Sequence, residues 1–143
     1  MISCEKVRSR SMDKKKVKFN KLTKVKEFRL KLYPNDFYKV RSFYEKILEY
    51  PVIEEWDQGE NEKGVMFDTG GATLELLSPK PSYKIIQGVG VSLEVSNVGE
   101  LWKHIKDKVD VEFGPRHNSW GDTSFRIKDP EGFKITFFTK DKK

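Results

Sequence analysis

A single interval of 61 residues organises this chain from Phe28 to Phe138. Slid past itself by that amount, the sequence places Asp36 on Asn97, Phe37 on Val98, Asp68 on Asp129 and Gly71 on Gly132. The same shift brings Leu74 onto Ile135 and Leu76 onto Phe137. One register held across a helix start and two strands marks a tandem duplication. Each copy, at about 50 residues, is too small to bury a sheet alone, so the two copies must share an interior.

Within each copy the hydrophobic pattern changes period in the same order. Phe28, Leu30 and Leu32 alternate with Arg29, Lys31 and Tyr33, the mark of a half-buried strand. Pro34-Asn35-Asp36 forms a turn in which Asp36 can cap a helix. Phe37, Val40, Tyr44, Ile47 and Leu48 recur at helical spacing to about Glu49, and Pro51 forbids continuation. Strands at Val52–Trp56, Val65–Phe67 and Thr73–Leu77 follow, joined by a polar loop at 57–63 and a Gly70-Gly71 turn. The second copy opens on Val89, Val91, Leu93 and Val95, with Asn97 as cap and Val98, Leu101, Trp102 and Ile105 as the helix face. It continues with strands at 109–113, 123–128 and 133–138, a loop at Gly114–Gly121 and a turn at Asp129-Pro130-Glu131-Gly132. The fold class is α+β, two tandem βαβββ units whose mixed sheets curve around a common interior. The expected division is a tail at 1–26, units at 27–79 and 88–140, and a linker at 80–87.

The net charge of +6 belongs to the tail. Residues 1–26 carry ten basic residues against Glu5 and Asp13, and the remaining residues carry 18 basic and 20 acidic. Such a like-charge block is a solvated arm. No aromatics are interleaved with its lysines for stacking on bases, so nucleic acid is not the expected partner. Met12 offers an alternative start, which would make residues 1–11 an over-long reading. No run approaches the ~20 apolar residues of a membrane span. Cys4 is the single cysteine, so neither an intrachain disulfide nor a multi-cysteine zinc site is available. These features set a cytoplasmic protein with no membrane partner as the expectation.

Asp36-Phe37 through Phe43-Tyr44, Thr73-Leu74-Glu75-Leu76, and Trp120-Gly121 followed by Asp129-Pro130-Glu131-Gly132-Phe133-Lys134-Ile135 carry a family likeness. The sequence resembles the vicinal oxygen chelate superfamily, the glyoxalase I, bleomycin-resistance and extradiol-dioxygenase group. The likeness covers residues 28–140. Its closing motif is a tight-turn sequence, with Pro presetting φ and Gly free to take a positive one, so it reports fold and not chemistry.

The resemblance implies four cavity-facing metal-ligand positions, on the first and last strands of each unit. Here they are Arg29, Glu75, Gly90 and Thr136. Only Glu75 is a usual ligand for a divalent ion, since Arg29 only donates and Gly90 has no side chain. No cofactor is therefore expected, and a divalent metal is disfavoured. If first and last strands are adjacent, as the fold implies, Arg29 and Glu75 come within reach, and the guanidinium would replace the ion's charge. Such a pair is either structural or a cationic contact for a ligand.

Strand parity sends Tyr33, Glu94, Arg126 and Phe138 to the same interior side, with Trp56 and Trp120 beside them and His117 at the mouth. Aromatic walls with a few charges suit a small-molecule site, because unpaired charges do not fill a dry core. The expected function is metal-independent binding of a drug or metabolite by a homodimer. The alternative is a lyase, isomerase or dioxygenase of the same superfamily with Glu75 as base or ligand. A third reading is an interaction module that works through its basic tail.

Overall fold

The computed structural model describes Lys18, residues 20–79 and residues 88–142. Most of the basic tail and the expected linker at 80–87 lie outside the described residues. In the first unit, strand β1 (Arg29–Leu32) leads into helix α1 (Phe37–Ser42), then β2 (Val52–Asp57), β3 (Lys63–Asp68) and β4 (Thr73–Leu77). The second unit repeats the order with β5 (Gly90–Glu94), α2 (Val98–Ile105), β6 (Asp110–Asn118), β7 (Asp122–Lys128) and β8 (Lys134–Lys140). Each unit is one mixed four-stranded sheet, ordered β1-β4-β3-β2 and β5-β8-β7-β6. The first and last strands of each unit run side by side in parallel.

Local chemistry explains why the two copies start alike. The Asp36 carboxylate accepts the Lys39 N–H at 3.1 Å, and the Asn97 amide oxygen accepts the Glu100 N–H at 3.0 Å. Both satisfy an amide that a helix start would leave orphaned. The parallel ladders also match, with Leu30 opposite Leu74 and Val91 opposite Ile135. These residues face the helices, together with Val65, Phe67 and Leu76 in the first unit and Phe125, Ile127 and Phe137 in the second. Val40, Tyr44, Val98 and Ile105 close the core from the helix side, and one apolar cluster joins both units. Each fully buried Phe or Ile contributes about 1.5–3 kcal/mol relative to exposure.

Three features depart from the sequence expectation. The first helix does not run as α-helix to Glu49. It changes to a π turn over Phe43–Ile47, closed by Leu48 N–H donating to the Phe43 carbonyl at 3.1 Å. The chain then leaves through Glu49, held at a left-handed φ of 58°.

The second departure is the loop expected at Gly114–Gly121, where β6 continues to Asn118 and only a tight turn remains. Pro115, which cannot donate to a ladder, falls where the register shifts between Phe113 and Arg116, and β6 is an edge strand. The shift accommodates the proline without ending the strand.

The third is that the 61-residue interval does not hold through both hairpins. Phe67 pairs with Leu74, whereas Ile127 pairs with Ile135. β3 and β7 therefore correspond at an interval of 60, because the second turn is one residue longer.

Candidate functional site

The two sheets do not join, since β1 pairs only with β4 and β5 only with β8. Between them lies an open cleft of about 950 Å³, formed within one chain. The first unit supplies Leu30 through Pro34 and Val40, and the second supplies Gly88 through Ser92, Arg126, Thr136 and the segment Glu131–Lys134. Tyr33, Phe133 and the aliphatic strand residues give it apolar walls, and Lys31, Arg126 and Lys134 bring positive charge.

The charged floor is built by cross-strand pairing. Ser92, Thr136 and Arg126 stand side by side on β5, β8 and β7. Arg126 Nε donates to Thr136 Oγ1 at 2.8 Å, and its Nη1 donates to Glu112 Oε2 at 3.0 Å. Lys134 Nζ lies 3.0 Å from the other Glu112 oxygen. Hydrogen bonds from Lys134 and Arg126 hold the Glu112 carboxyl below the ordinary carboxylate range. Phe113 lies beneath two guanidiniums, with Arg116 Cζ 3.7 Å and Arg126 Cζ 5.1 Å from its ring centre.

One end of the cleft is closed by a clasp between the units. Glu131 Oε1 accepts the Asn35 N–H at 2.8 Å and Oε2 accepts the Asp36 N–H at 2.8 Å, in front of helix α1. Beside it Asp129, only 4% exposed, accepts from the amides of Glu131 and Phe133 and from Tyr44 Oη at 2.9 Å. Burial pushes the Asp129 carboxyl up despite those three donors, and burial with the Asp129 charge pushes the Tyr44 phenol well up. The Asp-Pro-Glu-Gly turn thus works as a joint between the two copies.

Of the residues expected at the site, Tyr33, Gly90, Arg126 and Thr136 line the cleft. Arg29, Glu75, Glu94, Trp56, Trp120, His117 and Phe138 do not. Trp56 covers Gly64 and borders a smaller pocket of about 210 Å³ with Phe37, Tyr38, Arg41 and Lys63. Glu94 is exposed, 3.8 Å from Lys140 Nζ. Phe138 is half-buried on β8 opposite Ser124 and Glu94. Trp120 is 68% exposed on the β6–β7 turn and donates to Asp122.

His117, expected at the mouth, does not line the cleft. His117 pairs with Thr123, whose alternation puts it on the Phe125 side of the sheet and away from Arg126. There its Nε2 lies 2.8 Å from Asp141 Oδ2. The expected pairing of Arg29 with Glu75 is also replaced. Arg29 Nε and Nη2 donate to Glu27 at 3.0 and 3.3 Å, and Glu27 accepts from Thr73 as well. Glu75 is buried with Lys31 and Met66 as its ladder neighbours, and it acts on Arg29 only as a lesser, longer-range attraction.

The donor chemistry of the four family positions does not fit a divalent ion. Arg29 has no lone pair to give, and Gly90 has no side chain. Thr136 Oγ1 already takes the Arg126 proton. Glu75 alone falls short of the about three protein ligands such a site needs. Among the described residues no group of three or more His, Cys, Asp or Glu side chains could hold a metal ion.

Glu112, Phe113 and Arg116 escape a reading by alternation because the bulges in β6 put Glu112 and Phe113 within reach of the same arginine. Phe133 was legible only as part of the turn motif, whereas strand parity already sends Lys134 to the interior side. Lys134 shares a face with Gly90, which alternation does reveal.

The sequence pattern of the Glyoxalase/Bleomycin resistance protein/Dioxygenase superfamily matches residues 26–137. No curated protein matches the chain. Among solved structures, an integron cassette protein from the mobile metagenome of V. cholerae superposes with a TM-score of 0.61 at 23% identity, covering 82% of this chain and 96% of that one. Lactoylglutathione lyase from Agrobacterium tumefaciens gives 0.62 at 18% identity, covering 82% and 93%. A superfamily member from Sphaerobacter thermophilus gives 0.66 at 17%, covering 82% and 98%. No helix among the described residues is long and apolar enough to cross a membrane. With its paired βαβββ units, its Asp-Pro-Glu-Gly joint and a match over most of its length, the chain belongs to the glyoxalase/bleomycin resistance/dioxygenase superfamily.

Proposed function

We propose that this protein binds a small organic molecule in the cleft between its two units and does so without a metal ion. The observation that carries this reading is the replacement of metal-donor chemistry by a guanidinium. Thr136 Oγ1 is bonded to Arg126, and Gly90, opposite Lys134 on the neighbouring strand, has no side chain to offer. A cleft of about 950 Å³ with aromatic walls and a few oriented charges is of the size and make-up that hold small ligands. Binding without turnover suits sequestration or sensing of the ligand.

The test is elemental analysis after incubation with Zn²⁺, Ni²⁺, Fe²⁺, Mn²⁺ and Mg²⁺ followed by gel filtration. The proposal expects no retained ion. About one ion per chain, lost in Glu75→Ala, would overturn it and favour a metal-dependent lyase or dioxygenase.

A further inference from the structure

We infer that the ligand class is anionic: the cleft takes a small carboxylate or phosphate carried on a planar apolar body. This rests on the small-molecule reading above. Five charged side chains line the cleft, and they are not equivalent. The two acids are spent on the protein itself. Asp129 receives three hydrogen bonds, and Glu131 holds both carboxylate oxygens on the Asn35 and Asp36 amides. Neither offers a free oxygen pair to a cation.

The three bases are differently placed. Lys31 is exposed, forms no ion pair with any described residue, and has its ammonium 6.0 Å from the Tyr33 ring centre. Arg126 is anchored by Nε and Nη1, whereas its Nη2 makes no hydrogen bond to any described residue. Lys134 shares Glu112 with Arg126, so one carboxylate offsets two cations. Counting Glu112 with Asp129 and Glu131 against Lys31, Arg126 and Lys134, the charges balance three to three, but the lining acids are turned onto amides and a phenol, while Lys31 and Arg126 Nη2 keep N–H groups that no described residue accepts. A guanidinium fixed at Nε and Nη1, with Nη2 left to donate, offers N–H groups to a carboxylate or phosphate oxygen, and the fixation lowers the ordering cost on binding. The edge strands β1 and β5, each paired on one side only, add backbone amides along the same cleft. Tyr33 and Phe133 supply flat apolar surface for the rest of the ligand.

The experiment is isothermal titration of the full chain with four probes of one shape: benzoate, phenyl phosphate, benzamide and benzylamine. At least one of the two anions is expected to bind ten-fold or more tightly than benzamide and benzylamine, and to weaken as NaCl is raised. Whichever anion wins identifies the headgroup. Arg126→Gln should weaken that anion at least ten-fold. Lys31→Gln, which removes no hydrogen bond or ion pair of the fold, should weaken it several-fold and guards against misfolding of the arginine variant. Benzamide binding as tightly as benzoate, and displaced by it, overturns the anionic class while leaving small-molecule binding intact. Anion affinity untouched in both variants overturns the site, as does failure of all four probes to bind. Glu75-dependent metal retention instead overturns the underlying reading, and the two failures are read in separate assays.

Discussion

Tyr44 and Asp129, one from each unit and 85 residues apart, are joined by a 2.9 Å hydrogen bond from phenol to carboxylate. Both side chains are buried, and the bond ties the first helix to the closing turn of the second unit. Tyr44→Phe leaves the packing and removes the donor, exposing a buried carboxylate to the loss of one of its three partners. The expected cost is about 1–3 kcal/mol, read from urea denaturation. A loss below about half a kilocalorie would mean that water replaces the phenol.

The pH dependence of stability should carry the signature of Asp129. Burial raises its carboxyl above the ordinary value of 3.8. Between that value and the raised one, the folded chain holds a proton that the unfolded chain has released. Stability therefore falls as pH rises through this interval, and the whole penalty is present above it. Asp129→Asn cannot titrate there, so the stability of the wild type relative to this variant should fall as pH rises through the interval. Comparing the two curves removes the opposite contribution of carboxylates such as Glu112, whose folded value is lowered. Parallel curves would refute the assignment.

Glu131→Ala should loosen the joint without disturbing either core. Two backbone amides before helix α1 lose a charged acceptor at 2.8 Å each. The expected loss is about 1–2 kcal/mol, with faster amide hydrogen exchange at Asn35 and Asp36 than at the α2 start. Uniform acceleration through both units would show a global effect instead.

Glu49 sits at a left-handed φ of 58° where the π turn ends, a conformation that costs a side-chain-bearing residue about 1–2 kcal/mol. Its carboxylate lies 3.0 Å from His104 Nε2, an exposed contact of small value. Glu49→Gly should therefore be neutral or stabilising by up to about 1 kcal/mol, measured by thermal denaturation. A clear destabilisation would assign the His104 contact more weight than its exposure allows.

Gly64 admits no side chain, because a Cβ there would run into the indole of Trp56. Gly64→Ala should displace the ring, shift tryptophan fluorescence and cost about 1–3 kcal/mol. Unchanged emission would place the indole elsewhere in solution.

Alternation and capping residues carried most of the architecture, because period and cap are properties of neighbours in sequence. Asp36 and Asn97 cap as their types require, and Arg126 reaches the cleft because strand parity puts it beside Thr136. What sequence spacing could not supply was competition for partners. Arg29 turned to Glu27, two residues away, in preference to Glu75 on the next strand. His117 lies on a strand and not in a mouth loop because β6 continues past Pro115, and a proline flanked by turn-forming residues reads as a loop until its edge position is known. The clasp was hidden for a similar reason, since Glu131 finds amides 95 and 96 residues away that no periodicity connects to it.

Sixty-one residues before Glu131 stands Gly70, which has no side chain to extend to the start of the opposite helix. A duplicated gene begins with two interchangeable halves and a two-fold axis between them. A single acidic residue on one half and none on the other gives that axis a front and a back. The two ends of the cleft are then physically unlike: at one, a carboxylate ties the halves together, and at the other no such tie is built from the equivalent position.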